Sequence, residues 1–386
     1  MPDNSQELIR AAWRRFGDVY DDMLELALSQ CDLDAGSAVA LLGHLVGHIQ
    51  YMGLQLRGDP ARPTLINGQY SPWNWGHSNP DTLYLTARVD DTHDYRISGK
   101  LGTAAQTTFG VYAGKDDQAH AVKVLSEELV VDDDGSFEIY FSREKMGDTH
   151  WFQLPPGTDS FCCYQTFGDW DNQAKGTIRI QCLNPGEPAT PESLEESIAA
   201  FDAQLAASRE LLTMWVNDIP ARVFGPLPKN FAIPPMQPPS AMAGAWFVPV
   251  AWELQDGQAL VIDYEIPLDA PYVGICLTNR WSQMIDIETR QTSLNLAQSQ
   301  IADGRVRVLL STKDLGVQNW LDARGYRSGV VTWRASTPDQ PVTPRFTVIR
   351  EDQLDDYFGL EQRITPEERA RAIDARIRHF AERHTP

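Results

Sequence analysis

The 386-residue chain sets 33 basic against 53 acidic side chains, a formal charge of −20, with 42% hydrophobic residues including 11 Trp, 12 Tyr and 14 Phe. That balance excludes nucleic acid as a partner, because a phosphate backbone needs a basic footprint and no Lys/Arg cluster interleaved with aromatics occurs. It also disfavours anionic membranes and anionic substrates, leaving a neutral or apolar small molecule as the better match. The length calls for two domains or one large β-rich unit. No apolar run approaches the roughly 18–20 residues of a membrane helix. The polar start, Met1 to Glu7, lacks the basic and apolar regions of a signal peptide, so the expected location is the cytoplasm.

Taken in chain order, residues 5–57 read as helical. Leu8, Trp13, Phe16, Tyr20 and Leu24 recur at three- to four-residue intervals, and after a break at Asp32–Gly36 so do Leu42, Leu45, Val46, Ile49 and Met52, with Ser37 as the expected N-cap. From Leu65 to Leu183 the pattern changes to short strands: Thr82–Val89, Thr107–Tyr112, Glu128–Val131, Phe137–Ser142, Ser160–Thr166 and Thr177–Leu183. Asp134-Gly135 reads as a hairpin turn, because glycine takes the positive φ such turns require. Thr190 with Pro191 opens a helix expected to reach Asn217. The proline-rich stretch Ile219 to Ser240 then reads as an extended linker. Strands resume from Trp246 to Val348, with hairpin turns at Asp256-Gly257 and Asp303-Gly304. Thr365-Pro-Glu-Glu368 is a capping box for a last helix whose stripe is Ile373, Ile377 and Phe380.

The predicted organisation is a helical segment 1–60, a β-rich domain 61–189, a helix and Pro-rich linker 190–240, a second β-rich domain 241–350 and a helical tail 351–386. Few strands alternate with helices, which argues against a doubly wound sheet. The expected class is mainly β with α (α+β): antiparallel β-sandwich or jelly-roll-like domains with N-terminal, central and C-terminal helices. The two β-rich halves invite comparison as duplicates, but no shared motif is evident between them.

The chemistry-bearing residues concentrate in Ser71-Pro-Trp-Asn-Trp-Gly-His-Ser-Asn-Pro-Asp-Thr-Leu-Tyr84, just before a predicted strand. Asp81 can hold one nitrogen of His77 and leave the other to exchange protons near neutral pH. Equally, Asn79-Pro80-Asp81 is good turn chemistry that caps backbone amides. Trp73 and Trp75 share one face of an extended segment and fit either a ligand wall or a core wedge. The candidate catalytic set is His77, Asp81 and Asn79, with Trp73, Trp75 and Tyr84 packing a ligand.

Asn-Pro-Asp-Thr-Leu-Tyr84, Tyr95–Thr103 and Asn319–Arg334 together resemble bacterial proteins of the domain of unknown function 1214 family, which occurs with or beside the related domain 1254. The resemblance implies no particular chemistry. The 241–350 unit is identified as the 1214-like part. In that family the Asn-Pro-Asp element recurs while the residue at His77 varies, so the resemblance points to Asn79 and Asp81 more than to His77. It also singles out Asn319, Trp320, Asp322 and Arg324 as substrate-binding candidates. There an Asp322–Arg324 charge pair can orient a polar group, or the element is simply a turn.

His44 and His48 lie four apart on one helix face, the spacing of helical metal pairs, though Leu45 stands where a metalloprotease needs its glutamate. Packing against carbonyls is the alternative. His77 and His150 would complete a metal or haem site if there were one; none is favoured, with Fe, Zn or haem as the alternatives. The five cysteines (Cys31, Cys162, Cys163, Cys182, Cys276) read as reduced packing residues, with a catalytic thiol at Cys162 or Cys163 as the lesser reading. No GxGxxG after a strand, GxxxxGK[ST] or GxSxG element occurs.

Three functions therefore stand open. The first is an enzyme acting by acid–base chemistry on a neutral or hydrophobic, aromatic or terpenoid-like small molecule. The second is a histidine-ligated metal- or haem-dependent oxygenase. The third is a non-catalytic carbohydrate or small-ligand binding protein. A homo-oligomer is compatible with each.

Overall fold

A computed structural model describes residues 5–29, 35–67, 76, 78–113, 120–147, 150–187, 193–225, 227–237 and 244–384. Two helices come first, α1 (Ser5–Leu28) and α2 (Ala35–Arg57). Ser37 lies inside α2 and does not cap it. Nine strands follow: β1 (Ile66–Asn67), β2 (Thr82–Arg88), β3 (Tyr95–Lys100), β4 (Gln106–Ala113), β5 (His120–Leu125), β6 (Ser136–Ser142), β7 (Trp151–Gln153), β8 (Thr158–Thr166) and β9 (Thr177–Cys182). They form two sheets, ordered β1-β2-β8-β4-β5 and β7-β6-β3-β9. Alternate residues of both sheets, among them Ala87, Ile97, Phe109, Val111, Val124, Ile139, Phe141, Phe161 and Cys163, fill one shared core. The unit is a sandwich, antiparallel except where β6 and β7 run parallel.

The predicted strand at Glu128–Val131 is not one. Ser126–Glu128 make a tight helical turn, so Asp134-Gly135 is a turn entering β6 rather than a hairpin between paired strands. The central helix, α3 (Leu194–Thr213), is capped by Ser193, whose side chain and Glu196 close a capping box. Thr190 and Pro191 lie outside the described residues. A π turn over Met214–Asp218 carries the chain into α4 (Ile219–Phe224). Helix thus persists past Asn217 into the stretch read as linker, because Pro220 sits in the first turn of α4, where its missing N–H costs nothing.

Nine more strands follow: β10 (Ala245–Glu253), β11 (Gln258–Glu265), β12 (Tyr272–Thr278), β13 (Ser293–Asn295), β14 (Ile301–Ala302), β15 (Arg305–Ser311), β16 (Trp320–Asp322), β17 (Ser328–Ser336) and β18 (Arg345–Arg350). They form sheets ordered β10-β17-β12-β13 and β14-β15-β11-β18, with β16 parallel to β15. Val250, Trp252, Ile262, Ile275, Leu277, Val308, Leu310, Val331 and Trp333 fill the core between them. Asp303-Gly304 is a two-residue hairpin between β14 and β15, with φ of 51° and 70°. Asp256-Gly257, by contrast, joins β10 to β11 across two different sheets.

The second sandwich repeats the first. Strands β2-β8-β4-β5 correspond to β10-β17-β12-β13, and β7-β6-β3-β9 to β16-β15-β11-β18, including the parallel pair in each. A motif marks the repeat. Ser142, Gly147 and Trp151 have the spacing of Ser311, Gly316 and Trp320, and both glycines take positive φ. Each serine hydroxyl donates to a carbonyl two residues on, at 2.5 and 2.8 Å, and accepts from the tryptophan Nε1–H at 2.7 and 2.9 Å. Three matching residues spread over ten positions are too few to see without the ladders.

The final helix, α5 (Pro366–His384), starts at the expected capping box of Thr365 and Glu368. Its docked face is the predicted one in part: Phe380 and Ile373 lie on it, whereas Ile377 is exposed. Arg369, Arg376, Phe380 and Arg383 are buried and Ile373 is half-buried, so arginines occupy every seventh position of the stripe.

Candidate functional site

The outer faces of sheets β1-β2-β8-β4-β5 and β10-β17-β12-β13 meet around Ser78–Tyr84. There Asp81 is 1% exposed. Its Oδ1 accepts from Trp170 Nε1 at 2.7 Å and Asn295 Nδ2 at 3.1 Å, and its Oδ2 accepts from Tyr272 OH at 2.7 Å. Asn79 Oδ1 accepts from the Tyr272 hydroxyl at 2.9 Å and from the Asp81 N–H at 3.1 Å. Gly274 makes this possible: a Cβ there would stand 2.1 Å from the Tyr272 hydroxyl and 3.3 Å from Asp81 Oδ2.

Helix α5 closes the site. Arg383 lies 3.7 Å and Arg376 5.0 Å over the Trp170 ring, and Arg383 Nη2 donates to Pro80 O at 3.3 Å. Arg376 donates to Ser293 Oγ at 3.0 Å. Burial pushes both guanidinium pKa values down to about 10, while the Asp81 carboxylate opposes the shift. A buried carboxylate with donors on both oxygens and two cations nearby is a hub that ties both sandwiches to α5.

Beside the hub lies a row of phenols on the outer face of the first sheet. Tyr84 and Tyr164 are register partners on β2 and β8, their rings 4.9 Å apart edge-on, and Tyr164 OH lies 3.0 Å from Tyr112 OH. All three are half-buried. The Tyr84 oxygen accepts from Asn79 N–H at 2.8 Å, which connects the row to the hub. Burial raises the pKa of all three phenols, while the Arg334 guanidinium partly offsets this at Tyr84. Arg334 itself donates to Cys276 Sγ at 3.0 Å and to Ser78 O at 3.3 Å. Tyr51 of α2 also lies near enough to raise Tyr112. The buried Thr86 hydroxyl, on the same face, has no hydrogen-bond partner among the described residues.

Of the predicted catalytic set, Asn79 and Asp81 come together, with Tyr84 beside them; His77, Trp73 and Trp75 lie outside the described residues. Asn319, Trp320, Asp322 and Arg324 sit behind the second sandwich core, on the outer face and edge of the sheet holding β15 and β16. Arg369 lies 5.1 Å over Trp320, and these two with Thr289, Arg290, Asp322 and Ile373 line a cleft of about 390 Å³. Asp322 does not pair with the Arg324 side chain. It pairs with Arg290 at 2.7 Å and accepts the Arg324 backbone N–H, while the Arg324 side chain pairs with Asp286 at 2.7 Å. The Asn319 side chain is spent on backbone groups of Gln300 and Arg307.

His44 and His48 are both buried on α2, ring centroids 5.8 Å apart, and burial holds them neutral, with pKa lowered to about 4 and about 3. His150 is remote, at the edge of the sheet holding β6 and β7, where its Nε2 accepts from Val130 N–H at 2.8 Å. Among the described residues no three His, Cys, Asp or Glu side chains come close enough to hold a metal ion. The described cysteines form no disulfide and are buried, and burial pushes Cys162 up to about 12 and Cys163 well above its ordinary value, which keeps both as thiols; Cys31 lies outside the described residues.

Sequence reading missed Trp170, Tyr272, Asn295, Arg376 and Arg383, which are far apart in the chain and meet only through the duplicated topology. The available signal was the seven-residue spacing of Arg369, Arg376 and Arg383.

These features define an α+β protein of two duplicated β-sandwiches with helical additions. Residues 81–168 match the family described as "Protein of unknown function (DUF1214)", which bears out the resemblance read from Asp81–Tyr84 and Tyr95–Thr103. The match lies within the first sandwich and does not extend to Asn319–Arg334 or the 241–350 unit. An uncharacterized protein from Burkholderia cenocepacia, 24% identical, superposes with a TM-score of 0.81 over 90% of this chain and 99% of its own, and so shares the fold. The VPA0106 protein of Vibrio parahaemolyticus is 8% identical with a TM-score of 0.44, over 79% of this chain and 97% of its own. No curated protein matches the chain. No helix among the described residues is long and apolar enough to cross a membrane.

Proposed function

We propose that the protein is an enzyme acting by acid–base chemistry on a neutral or apolar small molecule held against the phenol-bearing face of the first sheet. The supporting observation is the row Tyr84–Tyr164–Tyr112, three half-buried phenols kept protonated by burial, with Arg334 near Tyr84. Protonated phenols donate hydrogen bonds to carbonyl, hydroxyl or ether oxygens. Burial raises Tyr84 like the other two phenols, and the nearby Arg334 guanidinium partly offsets that shift at Tyr84. His77, two residues before Asn79 in the sequence, is the proposed partner base. Trp73 and Trp75 on the same segment supply apolar packing. Asp81 contributes by position: it holds Tyr272 and Asn295 of the second sandwich against the turn that presents Tyr84.

The test is a panel of neutral aromatic and terpenoid ketones and alcohols, followed by thermal shift and by conversion. The expected result is a compound that raises the melting temperature and is turned over, with turnover falling about 100-fold or more in Tyr84→Phe while the variant stays folded. Binding without conversion would instead identify a ligand-binding protein. Equal turnover by Tyr84→Phe would remove Tyr84 from the chemistry.

A further inference from the structure

We propose that Lys123 makes the phenol-bearing face a site for carbonyl compounds, which it binds covalently as an iminium. Neutral aldehydes and ketones are then the substrate class of the function proposed above, on which this assignment rests.

Lys123 lies on β5, an edge strand, where a lysine ordinarily points to water and discourages edge-to-edge pairing. This lysine is half-buried instead. Register places Lys123, Gly110, Cys162 and Thr86 in one row across β5, β4, β8 and β2, and directly opposed residues share a face. The adjacent Val124 belongs to the sandwich core, so the row lies on the outer face with the phenols. The Lys123 amine is close enough to Cys162 for each to bias the other's ionisation, although two strand spacings, about 10 Å, separate their backbones. Lys123 therefore reaches inward across β4. Its path lies over Gly110, which has no side chain to obstruct it. Cys162 is fully buried, and Tyr112 and Tyr164 both interact with it. The amine thus ends beside the two phenols whose oxygens stand 3.0 Å apart.

An amine in this setting is equipped for iminium formation. Burial lowers the Lys123 pKa, while Cys162 opposes the shift, and a lower pKa enlarges the share of nucleophilic neutral amine. The amine lone pair forms a C–N bond to the carbonyl carbon as the C=O π pair moves to oxygen. A proton passes from nitrogen to that oxygen, giving a carbinolamine. A phenol protonates the hydroxyl, which leaves as water with the C–O bonding pair, and the nitrogen lone pair closes the C=N bond. The phenol recovers the proton that the Lys123 ammonium released on becoming nucleophilic. Nothing is oxidised or reduced: ammonium and carbonyl give iminium and water. The iminium draws electrons from the adjoining carbon, which is what proton transfer at that carbon needs. An uncharged carbonyl compound also escapes the repulsion that a chain of charge −20 exerts on anions.

Reductive trapping of the full chain tests this. Benzaldehyde or acetophenone is added with sodium cyanoborohydride at about pH 7, the hydride reduces any iminium to a stable secondary amine, and peptide mass mapping locates it. The expected result is trapping at Lys123 about tenfold or more faster than at the exposed Lys175, a preference that acid assistance by the phenols supplies. In Tyr112→Phe that preference is expected to fall about threefold or more while Lys175 labels as before. Lys123 labelled no faster than Lys175 overturns the proposal, and both are read in one wild-type sample, so no variant has to fold. Trapping does not need turnover, so the two functional readings fail separately. Conversion of a carbonyl compound without preferential trapping at Lys123 removes the iminium alone. Selective trapping without conversion keeps the iminium site and removes the enzyme.

Discussion

The two sandwiches share a framework and differ in what they do with its outer face. Register places Gln106, Thr166 and Thr82 at the ladder corner occupied by Tyr272, Ser336 and Ala245 in the second half. Counting inward from that corner, Phe161 and Cys163 correspond to Val331 and Trp333, and Phe109 and Val111 to Ile275 and Leu277. Every one of these is buried. Identity changes while apolarity stays, as a packed interior demands. On the outer face, Tyr84 corresponds to Phe247, Tyr164 to Arg334, Cys162 to Thr332 and Gln106 to Tyr272. The first half carries the phenols, and the second carries the arms, Tyr272, Arg334 and Asn295, that reach across to Asp81 and to the Ser78 carbonyl in the turn before Tyr84. A duplicated scaffold is thus free to specialise where its two copies face each other.

The sharpest way to break this pairing is to remove the group both halves hold. Asp81→Leu leaves the indole and amide donors unmet, leaves the Tyr272 hydroxyl only Asn79 Oδ1 to donate to, and deprives Arg376 and Arg383 of their nearby carboxylate. The expected loss is about 3–5 kcal/mol in chemical denaturation. A variant as stable as wild type would mean that the sandwiches are joined by apolar contact alone and that the hub is incidental.

A change of pH separates the helices, which occur once, from the duplicated strands. His44 and His48 are buried neutral, with folded pKa values of about 4 and about 3 against an ordinary 6.5. Below pH 6.5 the unfolded chain takes up protons that the folded chain refuses. Stability is therefore expected to fall as the pH drops from 6.5 toward 4, by about 2–4 kcal/mol on reaching pH 5, and to level off below the folded values. The same titration on His44→Leu/His48→Leu should be nearly flat over that interval. An unchanged slope would assign the acid sensitivity to the sandwiches instead.

The fold was legible where a rule acts locally. The strand runs other than Glu128–Val131, the Thr365–Glu368 capping box and the Asp303-Gly304 turn each depend on neighbours in sequence, and each is present. The α5 stripe was misread in part because apolar spacing pointed to Ile377, while most of the docked positions are arginines whose long stems pack and whose heads reach carbonyls and rings. Asn79, Asp81 and Tyr84 were legible as a cluster because they are adjacent. Trp170, Tyr272, Asn295 and Arg383 were not, since their meeting depends on how one sandwich is placed against the other. The repeat was hidden for a related reason: strand cores preserve only apolarity, and Ser142/Ser311 with Trp151/Trp320 keep identity only because a hydroxyl must accept an indole N–H.

That shared serine gives the finest comparison of the halves. Both hydroxyls are buried, but Trp320 is only 7% exposed, whereas Trp151 is half-buried. Ser311→Ala leaves the Trp320 Nε1–H and the Lys313 carbonyl unmet in a dry setting, at an expected cost of about 1–3 kcal/mol. In Ser142→Ala the Trp151 N–H can turn to water, and the expected cost is about 0.5–1 kcal/mol. Denaturation of the two single variants and of the double variant measures both. Because the sites lie in different sandwiches, the two costs should add. Equal single-variant costs would show that the motif is equally dry in both copies, and two separate transitions, each shifted by only one of the substitutions, would show that the sandwiches unfold independently despite the Asp81 hub.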